Sequence, residues 1–565
     1  MSSLSLSLLK FLGWQAKHRL IRHTRSAQST QEKFLRTLIN HHRNTKIGTD
    51  FKLSKIQTIE QFRQHIPIYP YEFYESYTDR IVNGETNVLT PDKIDYINLT
   101  SGSTGRKKQV PVTARFQASL RRADLASLGF ALDALRDRQS SFGRSIITNS
   151  AQIQGITPGG TEFGPVSVGS LRKGQFLFEQ GFSLPYAALN VSDTAARHYV
   201  CLLFALSDAD MRGFITNFPM LVLRTCQYLE DFAESLIQDL AQGTIAPDLP
   251  IDPPLRRQLE GLRRPNPRRA DFLRAALERD GRLTPKAAWP KLSYVFTARG
   301  GTSDFYFDRF PAYFGDTPIF GGIYGTAEGT FSVIPAFNVD GGILAIESGF
   351  FEFIAEDHWH EDQPPTLLPH EVQVGHRYRI LVTSYSGFYR YDIGDVIEVT
   401  GFYNAAPRIV FRHRRGGLLS STTEKTTEFH AIETLRTLQE EFQIKLEDFC
   451  ITLADDAIPG GYVVNIELAS GYTLADPDHF LKRFEYWMAT FNEPYGTVRQ
   501  SQVPPPRLRV LRSGSFVEVR RRQVQRGMFD SQLKILHIQN DSSLLADLPI
   551  EQEVLWDTPL SAMLF

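Results

Sequence analysis

Cysteine is scarce in this chain, and so is any excess of charge. Cys201, Cys226 and Cys450 stand far apart with no CxxC pair, which excludes a disulfide framework or zinc ribbon and fits a reducing, cytoplasmic setting. The 62 Lys+Arg are matched by 63 Asp+Glu, a net charge of −1. That balance argues against a dedicated nucleic-acid binder, which carries a basic excess. No stretch reaches the roughly 18 consecutive apolar residues of a membrane span. Residues 4–14 (LSLSLLKFLGW) lack the preceding base and the following cleavage site of a signal peptide. GxSxG and HExxH motifs are absent. So is a Walker A loop, because Lys107 stands five residues after Gly102 where a glycine is needed. There is no internal repeat and no low-complexity tract.

What is present is an ordinary globular composition, 42% apolar and 22% charged over 565 residues, enough for about two to four domains. Residues 1–45 read as helical, with Leu4, Leu8, Phe11 and Leu12 forming an apolar face expected to pack on the body, the alternative being peripheral membrane contact. Short β-rich runs at 95–99, 145–148, 292–297 and 318–323 then alternate with helical stretches at 116–137 and 193–241, the second broken near Phe218-Pro219. This alternation predicts an α/β fold of mixed sheets flanked by helices. Residues 341–411 are mostly strand and predict an antiparallel sheet or partial β-barrel. Small polar residues over 420–427 (SSTTEKTT) mark a hinge. The division is therefore a large domain over 1–425 and a smaller α/β domain over 426–565.

Three glycine-bearing stretches carry the chemistry. Thr100-Ser101-Gly102-Ser103-Thr104-Gly105-Arg106-Lys107-Lys108 directly follows a predicted strand. Small side chains expose its N–H groups and hydroxyls in one concavity suited to phosphate oxygens, with a lysine at its end. In Tyr324-Gly325-Thr326-Ala327-Glu328-Gly329 a tight turn presents Glu328, a carboxylate able to hold a hard cation such as Mg²⁺ beside phosphates. In Tyr389-Arg390-Tyr391-Asp392-Ile393-Gly394-Asp395, Asp395 can accept from two ribose hydroxyls, and the arginines over 412–415 can counter phosphate charge. The acidic and histidine residues over 356–362 read as a solvated loop. The arginines over 256–269 read as a solvated helix and linker.

In this order, ahead of a hinge and a small last domain, the three stretches resemble the adenylate-forming superfamily, whose phosphate loop [ST]SG[ST]TGxxK matches TSGSTGRKK. Within it the chain is similar to the acyl-acid amido synthetases of the auxin-responsive Gretchen Hagen family. YGTAEG is similar to their Y-x-S-S-E turn, with Ala327 in place of a serine. YRYDIGDVIEVTGFYNAAPRIVFRHRRGGLLSSTTEKTTE is similar to their YRYxxGDV…VTGFxNxAP…F…LLS…K block. WPKLSYVFTARGGTSDFY and FNEPY are further landmarks, and the resemblance runs from about residue 35 to the end.

The resemblance implies a site. Ser101, Ser103, Thr104 and Lys108 would line the β- and γ-phosphates, within a loop of Thr100, Gly102 and Gly105. Gly300 and Gly301 would sit beside the adenine, with Tyr324 stacked on it and Gly325 and Thr326 near the α-phosphate. Glu328 would hold Mg²⁺, Asp395 the ribose, and Arg414 would lie near the nucleotide. Lys425 would be the hinge lysine and Lys534 a C-terminal active-site lysine, although the TPR that follows it in the family is absent. The implied activity is ATP-dependent adenylation of a small carboxylic acid, followed by transfer to an amine, an amino acid, by a monomer with a mobile C-terminal cap. The acid is expected between residues 116–137 and 150–185. The alternatives are an acyl-CoA synthetase and a non-catalytic nucleotide-binding protein.

Overall fold

The computed structural model describes residues 3–555 except 100–107, 173–177, 179, 302–303, 415–416, 423, 425, 457–458, 500–501, 527, 529–532 and 534. The chain forms two compact units, Met1–Phe411 and Arg412–Phe529 with Leu533–Phe565.

Three sheets build the first unit. In one, strand Ile94–Leu99 pairs antiparallel with Gln109–Thr113 and parallel with Glu162–Gly164, which pairs in turn with Gly155–Ile156. The second is wholly parallel, in the order Ser145–Ile146, Gly213–Ile215, Tyr294–Phe296, Ile319–Phe320. Strand Gly213–Ile215 interrupts the stretch read as helix over 193–241; a short strand inside a parallel sheet shows no alternation to reveal it. The run at 318–323 serves two sheets. Gly322, at φ +67°, turns the chain between Ile319–Phe320 and Ile323–Gly325.

The third sheet has seven strands, in the order Phe350–Ala355, Arg377–Thr383, Tyr391–Tyr403, Ala406–Arg414, Gly342–Leu344, Thr330–Val333, Ile323–Gly325. It is an open sheet, not a closed barrel. Its edge strand Phe350–Ala355 and the neighbouring Arg377–Thr383 are almost wholly buried, over Phe350–Ile354 and Tyr378–Thr383.

Helix Ala114–Asp137 begins where Thr113 Oγ1 accepts from the Phe116 amide at 3.2 Å. Helix Ser3–Thr24 lies against it, but not by the face expected. Gly13, Lys17, Leu20 and Thr24 are buried, whereas Leu8 and Phe11 are more than half exposed. Leu12 is half-buried, and Leu4 lies outside the residues whose side chains are described. The helices meet where a Cβ on Gly129 would stand 2.3 Å from the Gly13 carbonyl oxygen, and Lys17 pairs with Asp133. Two glycines allow a backbone approach that the larger apolar stripe would block.

Arg257, Arg264 and Arg268 are exposed as expected, whereas Arg263 and Arg269 are buried and structural. Arg263 donates to Leu203 O at 3.3 Å and Arg269 to Leu206 O at 3.0 Å, so both cap the C-terminus of helix Thr194–Leu206.

The second unit has a four-stranded sheet in the order Leu446–Leu453, Tyr462–Leu468, Arg507–Leu511, Ile550–Leu555. The first two strands are almost wholly buried and the third partly so. The last, IEQEVL, is an exposed edge strand with one buried residue, so it carries no apolar signal. Helices Glu428–Phe442, Pro477–Phe491 and Ser515–Gln525 accompany the sheet. The polar stretch over 420–427 falls inside this unit. There Glu424 accepts from the Ser421 and Thr422 amides and from the Tyr462 hydroxyl at 2.5, 3.0 and 2.9 Å. Burial works to raise the Glu424 pKa, but these hydrogen bonds outweigh it and hold the carboxyl below its ordinary value.

Candidate active site

Strand Ile94–Leu99 delivers the chain to the expected phosphate loop, and Gln109–Thr113 carries it away. Thr100, Ser101, Gly102, Ser103, Thr104 and Gly105 lie outside the described residues, as do Lys425 and Lys534. Lys108, the last residue of the motif, is described. Its Nζ donates to the Tyr391 hydroxyl at 3.1 Å and lies 5.6 and 5.7 Å from the ring centres of Tyr71 and Tyr391, within the range of a cation–π contact. Tyr71 holds the start of the next strand, because its hydroxyl accepts from the Gln109 amide at 2.6 Å.

Tyr391 connects this lysine to the acidic turn. Its own hydroxyl proton goes to Glu328 Oε1 at 3.1 Å. Lys108, Tyr391 and Glu328 thus form one chain of hydrogen bonds, cation to phenol to carboxylate. Tyr391 is fully buried and Glu328 only 4% exposed. The turn between strands Ile323–Gly325 and Thr330–Val333 is held from within as well, by Thr326 N to Gly329 O at 2.9 Å and Glu328 N to Thr326 Oγ1 at 3.2 Å. It is tied to the phosphate-loop strand by Asn98 Nδ2, which donates to Ala327 O at 3.2 Å.

Asp395 lies on the same face of its strand as Tyr391, four residues on, and is buried. It accepts from the Tyr324 hydroxyl at 2.5 Å. The Tyr324 ring stacks on Phe331, with centroids 5.0 Å apart. Gly300 and Gly301 take φ of +92° and +61°. A Cβ on Gly300 would meet Val410 Cγ2 at 3.0 Å, so a side chain there would be strained as well as crowded. Gly325 is exposed beside the turn, and Arg414 is exposed at the end of strand Ala406–Arg414.

Lys108, Glu328, Tyr324, Thr326 and Asp395 are therefore brought together. Tyr391, Asn98 and Tyr71 join them without having been singled out as site residues. Tyr391 stands inside the quoted YRYDIGD stretch, so its neighbourhood was visible in the sequence, but not its partner. Arg390 shows why that stretch is so constrained. It has a left-handed backbone (φ +44°), and its guanidinium donates to the Glu352 carboxylate at 3.0 Å and to the Ile66 carbonyl at 2.8 Å. Nearby, a cavity of about 380 Å³ is lined by Ile97, Leu99, Gln109, Ile156, Pro158 and Phe163 among others. It includes part of the 150–185 region but no residue of helix Ala114–Asp137.

Comparison with known proteins shows the family. The pattern of the GH3 family N-terminal domain matches residues 16–319, that of the GH3 family central domain 342–414, and that of the GH3 family C-terminal domain 429–543. The chain belongs to the GH3 family. GH3 relatives align along nearly its full length. Indole-3-acetic acid-amido synthetase GH3.15 of Arabidopsis thaliana is 27% identical, over 90% of each chain. Jasmonoyl–L-amino acid synthetase GH3.5 of Oryza sativa subsp. japonica is 26% identical, over 92% of this chain and 94% of its own. The solved GH3.15 acyl acid amido synthetase superimposes with a TM-score of 0.82 at 23% identity, covering 98% of this chain and 97% of that one. A 2-hydroxyisobutyryl-CoA ligase in its postadenylation state shares the fold, with a TM-score of 0.54 at 11% identity over 93% and 90%. This GH3 protein is an amido synthetase, a ligase on the adenylate-forming fold.

Proposed function

We propose that this protein activates a carboxylic acid with ATP and passes the acyl group to the amine of an amino acid. In the first half-reaction a carboxylate oxygen attacks the α-phosphorus, forming an acyl-adenylate and releasing pyrophosphate. In the second, the amine attacks the acyl carbon, an amide forms, a proton is lost from nitrogen, and AMP leaves. The observation that carries this reading is the Lys108–Tyr391–Glu328 chain, which sets a carboxylate beside the lysine that ends the Ser/Thr/Gly motif in sequence.

The first step brings one anion up to a polyanion. In this reading Lys108 offsets the charge that moves onto pyrophosphate, Asp395 accepts from the ribose hydroxyls, and Tyr324 orients Asp395 while stacking on the base. Lys425 and Lys534 are assigned to the second unit's part in the cycle. The Glu328 site suits Mg²⁺. A single buried carboxylate offers oxygen alone, and the described residues contain no group of three or more His, Cys, Asp or Glu able to hold a metal. Mg²⁺ is characteristically held by one or two carboxylates, with phosphates and water completing its octahedron. When bound, it would supply Lewis-acid neutralisation of the phosphates. The relatives are named for indole-3-acetic acid and jasmonate, so an organic acid with an apolar body is the substrate class assigned here.

The test is ATP–pyrophosphate exchange across a panel of carboxylic acids, followed by product mass with a pool of amino acids against CoA. Acid-dependent exchange and an amide product are expected. Exchange with no acid in the panel would leave a nucleotide-binding protein without turnover, and a thioester product would make it an acyl-CoA synthetase.

A further inference from the structure

Helix Ser3–Thr24 has two unlike faces. Gly13, Lys17, Leu20 and Thr24, spaced by four, three and four, are buried against the body. On the opposite side Leu8, Phe11, Gln15, His18 and Arg22 repeat at three and four and are all exposed, with Trp14 alongside. Leu8 is 57%, Phe11 55% and Trp14 53% exposed. The Phe11 and Trp14 rings stack with centroids 6.2 Å apart, and Trp14 lies 4.4 Å from the His18 ring. The helix thus turns Leu8, Phe11 and Trp14 to solvent while Gly13, Lys17, Leu20 and Thr24 make its contact with the body. Three neighbouring large apolar side chains on one exposed stripe mark an interaction surface rather than scattered surface residues.

The charge around the stripe identifies what it meets. No Asp or Glu occurs before Glu32. Lys17 and Arg19 are matched by Asp133 and Glu347 of the body, and Lys10, Arg22 and Arg25 are exposed around the stripe. Apolar and aromatic side chains flanked by bases with no acid among them are the chemistry of a helix lying in a bilayer interface. There the rings enter the acyl boundary while the bases meet anionic headgroups. A second copy of the same face would oppose base to base, which disfavours self-association. Leu8, Phe11 and Trp14 also precede residue 16, where the match to the GH3 N-terminal domain begins. The helix is already folded and anchored, so docking carries no cost of helix formation.

We propose that the outward face of helix Ser3–Thr24 docks this protein on the surface of an anionic phospholipid bilayer, with Leu8, Phe11 and Trp14 inserted and Lys10, Arg22 and Arg25 on the headgroups. The full chain is sedimented with vesicles of phosphatidylcholine mixed with phosphatidylglycerol, and with pure phosphatidylcholine vesicles. Binding to the mixed vesicles is expected to be about 10-fold or more stronger and to weaken with salt. It should be lost in Phe11→Ser/Trp14→Ser and reduced in Lys10→Glu/Arg22→Glu, with pyrophosphate exchange intact in both. Should the first variant fold poorly, brominated acyl chains are expected to quench more fluorescence in the natural chain than in Trp14→Phe. Three results would overturn the proposal: a chain left in the supernatant with mixed vesicles, apolar variants that sediment like the natural chain, or a dimer in light scattering that those variants abolish.

Discussion

The Tyr324 hydroxyl donates to the Asp395 carboxylate at 2.5 Å although the two residues are 71 apart in sequence and four strands apart in their sheet. At roughly 4.8 Å per strand, four steps across a flat sheet would separate them by about 19 Å. The seven-stranded sheet must therefore roll into a trough that brings its edge strand Ile323–Gly325 over the start of Tyr391–Tyr403. The Tyr391–Glu328 bond closes the same gap at the other end of the turn. The carboxylates proposed for metal and ribose are thus held by one curvature.

Replacing either charged end of the hydrogen-bond chain removes a preorganised partner of the transition state. Glu328→Ala and Lys108→Ala are each expected to lower pyrophosphate exchange by about 10²–10³, with circular dichroism and melting unchanged. Turnover like that of the natural chain in either variant would remove that residue from the mechanism.

Tyr391→Phe keeps the ring over Lys108 and deletes only the shared hydroxyl. Hydrogen bonds to charged groups contribute about 1.5–3 kcal/mol, so kcat/KM for the acid should fall about 10–100-fold. Steady-state exchange kinetics check this. An unchanged value would show that Lys108 and Glu328 hold their places without the hydroxyl.

The second unit should lose stability as pH rises above about 6.5. The buried His537 ring nitrogens lie 3.3 Å from Glu428 Oε1 and 3.3 Å from Asp448 Oδ1, and Arg520 reaches Asp448 at 3.4 Å. Burial works to discharge the imidazole, but the two acids outweigh it and raise the His537 pKa above its ordinary value of 6.5. The folded state then binds the proton more tightly than the unfolded one. The stabilisation is complete below about pH 6.5 and fades as pH climbs through the raised value. Denaturation midpoints across pH should show this slope, and His537→Gln should flatten it.

Gly129→Ala should separate helix Ser3–Thr24 from helix Ala114–Asp137, because the new methyl would stand 2.3 Å from the Gly13 carbonyl oxygen. Overpacking of this kind costs about 1–3 kcal/mol. A lowered melting temperature is expected, and an unchanged one would mean that helix Ser3–Thr24 shifts freely on the body.

Much of this was legible beforehand because it is local. The strand ahead of TSGSTG, the helix after it and the strand-rich stretch over 341–411 follow from apolar spacing and turn residues within a few positions. The elements that escaped notice lack such a signal. Gly213–Ile215 is three buried residues, and Ile550–Leu555 is almost wholly exposed. Residues 4–14 have helical spacing, but the helix packs by a different face from the one that carries Leu8 and Phe11. The choice of face depended on Gly129, more than a hundred residues away.

Residue order alone determined the family, the strand–loop–helix grammar and the chemical types at the site, since short-range sterics and spacing set all of these. Only the folded chain decided that Tyr391 joins Lys108 to Glu328, that Tyr324 meets Asp395, and that Leu8, Phe11 and Trp14 face outward. Those outcomes depend on sheet curvature and on the fit between helices. Both arise from many distant contacts acting together, and no window of neighbouring residues encodes them.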